Sequence, residues 1–252
     1  MTDTDHRTYE QTRPRWTRFL TLVFIFALPF PFLFFGFLAL CYQPFNIPSG
    51  SNFPNLVVGD YLFVSKSAYG YSKYSFPFGL ATFDGRIASA SPKRGDVVVF
   101  RLPSDPNIDY IKRVIGLPGD RVQMRDGIVV LNGTAMTTEL VTLDPIYYQP
   151  NDNVYQQENL GLKFYRETTP EGRSYVVADI GSTEQDNTRE YIVPAGHYFM
   201  LGDNRDNSQD SRFLDKVGYI PEENFVGRAT WIFKTLSSLP ISTRPTETLA
   251  TK

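Results

Sequence analysis

The 252-residue sequence holds one cysteine, Cys41, and two histidines, His6 and His197. A single cysteine excludes an internal disulfide and a cysteine-based metal site within one chain, so cysteine usage says nothing about compartment. Two histidines this far apart exclude a zinc motif such as HExxH. No GxSxG occurs, which argues against an α/β-hydrolase elbow, and no SxxK occurs, which removes the penicillin-binding arrangement. An excess of one charge is also missing: 25 Lys and Arg face 27 Asp and Glu, which gives no footprint for nucleic acid. The stretch Gly202–Arg212, "GDNRDNSQDSR", is rich in Asp and Asn. It lacks the glycine at the sixth position and the glutamate at the twelfth that a calcium loop needs from either Asp203 or Asp206. No metal, cofactor or nucleic acid is expected.

What the sequence does have is one long apolar run. Phe19–Tyr42, "FLTLVFIFALPFPFLFFGFLALCY", passes 24 residues without a charge. As a helix that is about 36 Å, against a bilayer core of about 30 Å. Pro29 and Pro31 are better tolerated in a membrane helix than in an exposed soluble one. A cleaved leader would carry an apolar region of about 7–15 residues and end at a small-x-small site. This run is longer and "LCYQPF" is a poor site, so it reads as an uncleaved anchor. Arg7, Arg13, Arg15 and Arg18 precede it, and no basic residue follows until Lys66. The positive-inside rule puts residues 1–18 in the cytoplasm and the rest outside. His6 then lies on the wrong side to serve the main domain.

Beyond the run, short β-branched and aromatic segments alternate with turn signals: "DYLFVSK", "DVVVFRL", "DYIKRVIGL", "RVQMRDGIVVLNG", "RSYVVADI", "HYFMLGD" and "RATWIFK". Three begin after a Gly-Asp pair. The fold class expected is mainly β: a single N-terminal transmembrane helix, then a β-rich core formed by 43–131 and 195–236. The more polar 132–194 reads as a smaller inserted β lobe, and 237–252 as a disordered tail.

Two serines, Ser49 and Ser51, stand in "FNIPSGSNFPNL" just past the apolar run. A serine hydroxyl attacks only when a neighbouring base takes its proton. His197, in "PAGHYFM", reads as a turn or strand-edge residue that nothing ties to a serine. A Ser–Lys dyad remains, with the lysine kept neutral by burial. In "DYIKRVIGLPGD", Tyr110, Lys112 and Val114 would share one strand face and Ile111, Arg113 and Ile115 the other. Arginine stays protonated, so only Lys112 could act as a base. Periodicity alone fits equally a strand at a sheet edge, with both cations snorkelling to water. "GDNRDNSQDSR" fits an ion-paired loop that buttresses a site through Ser208, Asp210 and Arg212.

Together these stretches resemble the bacterial type I signal peptidases, membrane-bound serine proteases that remove signal peptides from exported proteins. "IPSGSNFPNLVVGDYLFVSK" is similar to the family's serine box, "RGDVVVF" and "DYIKRVIGLPGDRV" to its next two boxes. "GDNRDNSQDSR" with "GYIPEENFVGRA" is similar to its last. The resemblance implies Ser51 as nucleophile and Lys112 as general base. It implies Ser49 and the Ser51 N–H as oxyanion donors, Ser208 as the group orienting the base, and a structural Asp210–Arg212 ion pair. It makes Phe45, Ile47, Pro48, Asn52, Tyr110 and Ile111 candidates for the substrate pocket. The implied partners are signal peptides ending in a small-x-small motif and the lipid bilayer, with the protein monomeric in the inner membrane and its catalytic domain periplasmic. Two positions depart from the family pattern. Asn52 stands where methionine is usual, and Asn55 where threonine or serine is usual, so retained chemistry with a narrowed or shifted cleavage-site preference is expected. Two other readings remain open: a Ser–Lys protease dedicated to one precursor, and an anchored β domain that binds export clients without cutting them.

Overall fold

The computed structural model describes residues 29–76, 81–143 and 162–236, with Trp16 and Phe24 as isolated positions. Three turns of one construction frame it. Gly59, Gly95 and Gly119 have φ of 91°, 85° and 89°, the positive values that the third position of such a turn requires. The aspartate after each glycine donates its N–H to the carbonyl three residues back, of Val57, Lys93 and Leu117, at 3.1, 3.0 and 3.0 Å. Each aspartate carboxylate then accepts the N–H of that same residue, at 2.9, 3.0 and 2.7 Å. A strand starts at or just after each of these turns.

The strands are β1 (Tyr42–Asn46), β2 (Asp60–Ser65), β3 (Val97–Leu102), β4 (Asp105–Gly116), β5 (Arg121–Arg125), β6 (Ile128–Leu131) and β7 (Thr134–Ala135). They continue with β8 (Thr137–Val141), β9 (Lys163–Thr168), β10 (Ser174–Asp179), β11 (Tyr191–Ile192), β12 (His197–Leu201), β13 (Ile220–Pro221) and β14 (Phe225–Thr235). The domain is mainly β. One sheet runs β1-β2-β14-β3-β4-β12-β13, a second β10-β9-β8 and a third β11-β5-β6-β7. The third sheet joins strands from both sides of Asn132, and the second lies wholly within 132–194. Cys41–Lys252 forms one unit and Met1–Leu40 another.

β3 is an almost continuous apolar run, "VVVFRL", buried along nearly its whole length between β14 and β4, as expected for a strand covered on both faces. β4 is half exposed at its start and fully buried from Lys112 to Gly116. That pattern places the two cations in the interior, and the edge-strand alternative is thereby overturned. Lys112 pairs with Val98, and Arg113 lies between Val97 of β3 and Leu201 of β12.

A helix, α1, covers Pro29–Cys41, and Tyr42 already belongs to β1. No helix among the described residues is long and apolar enough to cross a membrane. The upstream part of the expected anchor, 19–28 apart from Phe24, lies outside the described residues. So do the expected cytoplasmic tail apart from Trp16, residues 144–161 of the expected lobe, and the tail 237–252.

Candidate active site

The turn between β1 and β2 carries Ser51, and its apolar residues hold it down. Residues 51–57 are all buried. Phe53 packs with Phe164, Val176 and Ala178, while Leu56 enters the cluster of Ile47, Leu62, Val64 and Val97. Polar groups fix the remainder. The Asn204 N–H donates to the Ser51 carbonyl at 3.0 Å, and the Asn204 side-chain amide donates to the Gly50 carbonyl at 3.1 Å. Gly202 permits this approach, because a Cβ there would lie 2.5 Å from the Ser51 carbonyl oxygen and collide with the Ser208 side chain.

Lys112 reaches this turn from β4. Its Nζ lies 2.6 Å from Ser51 Oγ, and 5.2 Å from the centre of the Tyr110 ring. The lysine is 4% exposed. Burial lowers its pKa to about 8; the Asp210 and Asp203 carboxylates oppose that shift and Arg212 adds to it. Near that pH the amine has a lone pair available for the Ser51 proton. Ser49 Oγ, on the exposed shoulder of the turn, lies 3.4 Å from Ser51 Oγ.

Two buried ion pairs flank the lysine. Arg113 donates from Nε and Nη2 to the two oxygens of Asp203, both at 2.7 Å, and from Nη1 to the Gly95 carbonyl at 2.7 Å. Its guanidinium stacks 4.1 Å from the Tyr175 ring centre. Burial works against the Arg113 charge, but Asp203 outweighs it and holds the guanidinium above its ordinary pKa. Arg212 grips Asp210 from Nε and Nη2, both at 2.9 Å, and the Gly202 N–H donates to the same carboxylate at 3.1 Å. Burial would raise the Asp210 pKa, but Arg212 pulls it below the usual range.

Several expected site residues meet here and others do not. Ser51, Lys112 and Ser49 come together, and Asp210 and Arg212 pair. Ser208 Oγ is buried with no hydrogen bond of normal geometry, although it lies close enough to Asp210 to help lower its pKa. Ile47 is 2% exposed and belongs to the core. Phe45 and Ile111 pack partly buried against that same cluster, and Pro48 is exposed. Tyr110 is half-buried, its hydroxyl 3.0 Å from Gln209 Oε1. Asn52 is 1% exposed. With its amide oriented to face acceptors, its nitrogen donates to the carbonyls of Ile111 at 3.2 Å and Ser51 at 3.3 Å. His197 opens β12, and its Nδ1 meets the Ala195 carbonyl at 2.9 Å.

Sequence reasoning missed Asp203 as the partner of Arg113 and Asn204 as the clamp on the turn. A signal was present. Two adjacent cations in a buried run need a carboxylate, and "GDNRDNSQDSR" supplies acids densely.

A mainly β domain that buries a lysine against a serine hydroxyl belongs to a class in which peptidases occur, and comparison with known proteins places the chain there. The family model described as "Signal peptidase, peptidase S26" matches residues 15–234. The signal peptidase I of Rickettsia canadensis (strain McKiel) is 39% identical over 241 residues, 92% of this chain and 83% of the relative. That of Rickettsia typhi (strain ATCC VR-144 / Wilmington) is 41% identical over 204 residues, 77% of this chain and 72% of the relative. Among solved structures, a signal peptidase I from Enterococcus faecalis V583 is 28% identical, covering 56% of this chain and 98% of its own, with a TM-score of 0.31. The chain belongs to the signal peptidase I family.

Proposed function

We propose that this chain is a membrane-anchored serine endopeptidase that cuts signal peptides from exported preproteins after a small-x-small motif, through a Ser51–Lys112 dyad. The observation that carries this reading is the buried 2.6 Å contact between Lys112 Nζ and Ser51 Oγ. Neutral Lys112 takes the hydroxyl proton as Ser51 Oγ bonds to the scissile carbonyl carbon. The carbonyl oxygen gains negative charge, and the Ser51 N–H with the Ser49 hydroxyl stabilises it; one such donor is worth about 3–4 kcal/mol. Protonated Lys112 then gives its proton to the departing amine. Water, activated by the same lysine, releases the acyl group from Ser51. Ser208, buried beside Asp210, orients Lys112 through this cycle. The Asp210–Arg212 pair holds the loop behind it.

The substrate is an extended chain. Among the described residues β12 pairs with β4 no further upstream than Arg113, and no other described strand pairs with the Asp109–Ile111 edge on that side, beside the Ser51 turn. A peptide added there would alternate its side chains into and out of the site, against Phe45, Pro48, Asn52, Tyr110 and Ile111. The bilayer is the other partner. Tyr42, Phe63, Trp231 and Phe233 form an aromatic ridge with ring centres 4.4–5.3 Å apart, and Trp231 and Phe233 are 46% and 45% exposed. Its Tyr42 and Trp231 rings are of the amphipathic kind that favours a membrane interface. The apolar run 19–42 supplies the single-pass anchor, N-terminus cytoplasmic, and 43–131 with 195–236 the periplasmic catalytic core around the inserted 132–194. The protein acts as a monomer.

The test is cleavage of a secretory preprotein in detergent by wild type, Ser51→Ala and Lys112→Ala. Each variant should lose a factor of about 10²–10⁴ or more. Wild-type activity should rise with pH around a midpoint near 8, as Lys112 loses its proton. Full activity in either variant sinks the mechanism. A wild type that leaves every generic precursor intact points to a dedicated substrate instead.

A further inference from the structure

Asn55, four residues after the serine, is fully buried, and its Nδ2 is spent on two acceptors in two different places. One is the Val176 carbonyl of β10 at 2.7 Å, the other Asp203 Oδ2 at 2.7 Å. That oxygen already accepts from Arg113 Nη2. Asn55 therefore joins the nucleophile's turn both to the second sheet and to the ion pair that backs the base-bearing strand. We propose that Asn55 is a positioning residue of the serine–lysine site, which fixes the Ser51 turn on Asp203 and tempers the negative field of that carboxylate at Lys112.

This inference rests on the Ser51–Lys112 reading above. The charges around Lys112 come from few directions. On β4 itself stand the Tyr110 ring and, on the opposite face, Arg113. The loop after β12 contributes Asp203, Asp210 and Arg212. Asp203 in turn is faced by Arg113, Tyr175 and Arg205, with Glu167 beyond Arg205. From Ile47 to Gly59 the serine's own segment carries no charge. It is stapled by amides: Asn55 to Val176 and Asp203, Asn52 to Ile111, and Asn204 of the facing loop to Gly50. A neutral donor can fix the turn and share a carboxylate's charge without adding a charge near the base. A cation in place of Asn55 would add repulsion against the Lys112 ammonium. An apolar residue would leave Asp203 with one fewer donor and a stronger field, which favours the charged lysine. A threonine or serine supplies one hydroxyl proton where the amide supplies two, so it cannot reach both acceptors at once.

The experiment is the pH dependence of kcat/KM for a signal-peptide substrate, on full-length wild type, Asn55→Leu and Asn55→Thr in detergent. Asn55→Leu should move the ascending limb to higher pH by about half a unit or more, with kcat reduced and KM little changed. Asn55→Thr should fall between the two, and is read alone if the leucine variant does not fold. The midpoint of the limb does not depend on how much enzyme is folded, so a purely structural role would lower the amplitude and leave the midpoint in place. A midpoint within about 0.2 units of wild type in a folded variant overturns the inference. Ser51→Ala and Lys112→Ala run beside them. If either is active, the dyad reading fails; if both are inactive and the Asn55 midpoint is unmoved, only the role of Asn55 fails.

Discussion

Lys112 and Arg113 are neighbours on β4, both cationic by type and both buried, yet they meet opposite surroundings. Arg113 is met by a carboxylate on both arms of its fork, by the Gly95 carbonyl and by the Tyr175 ring. Lys112 has one short contact, to the uncharged Ser51 hydroxyl, and its carboxylates act from a distance. The guanidinium keeps its charge above the ordinary range, whereas the ammonium is driven toward neutrality. The strand thus separates structure from chemistry by one residue: a fully compensated charge anchors the fold, and a poorly compensated one can exchange a proton with a serine.

The largest effect should come from breaking the compensated side. Arg113→Met leaves Asp203 buried with only neutral donors, and removal of one partner from such a pair costs about 3–5 kcal/mol. Denaturant unfolding should show that loss, and Arg113→Met with Asp203→Leu should recover part of it, since no orphaned charge remains. A loss below about 1 kcal/mol would mean that the two faces of β4 do not differ as described.

Lys112→Met is expected to do the opposite for stability while abolishing cleavage. The folded-state pKa of Lys112 is lowered from 10.5 to about 8, so the unfolded chain binds this proton at higher pH than the folded one. Wild-type stability should therefore fall as pH drops from about 10.5 to about 8, with the full penalty, about 3 kcal/mol, present below that window. The methionine variant has no such proton. Its stability relative to wild type should improve as pH falls through the window and then level off. Unfolding midpoints of both proteins at pH 7, 8, 9 and 10 check this; a difference that stays flat would show that the lysine is not held toward neutrality.

How far this contrast was legible in the sequence differs by residue. The seven apolar segments lie on strands because β-branched alternation and Gly-Asp turns are local signals. β8 and β9, "TTELV" and "KFYRET", carry a weaker alternation among polar residues and did not stand out. Lys112 could be singled out because arginine cannot serve as a base, but its burial could not. That depends on β3 and β12 flanking this part of β4, a pairing between residues distant in sequence. Asp203 and Asn204 were hidden for the same reason. The spacing within "GDNRDNSQDSR" does not say which acid faces which cation. Asn55, a mere departure from a pattern in the sequence, became a two-acceptor clamp only when Val176 and Asp203 were brought beside it.

The smallest effect concerns the backbone between the two cations' environments, at Ile111. Asn52 donates to the Ile111 carbonyl on the edge of β4 that an added substrate strand would use, and to the Ser51 carbonyl. On the proposed reading, an incoming strand would have to share that acceptor with a fixed amide, which would narrow the registers and first-position side chains that fit. Asn52→Met frees both carbonyls and replaces a short, planar polar group with a flexible apolar one. Net hydrogen bonds of this kind are worth about 1 kcal/mol, so the change should be a few-fold, and it should appear as selectivity rather than as loss of chemistry. Cleavage of a panel of precursors with Gly, Ala, Ser, Cys and Val before the cut should show a broader profile for the methionine variant. Identical relative rates across the panel would leave Asn52 as a staple of the nucleophile's turn with no hand in substrate choice.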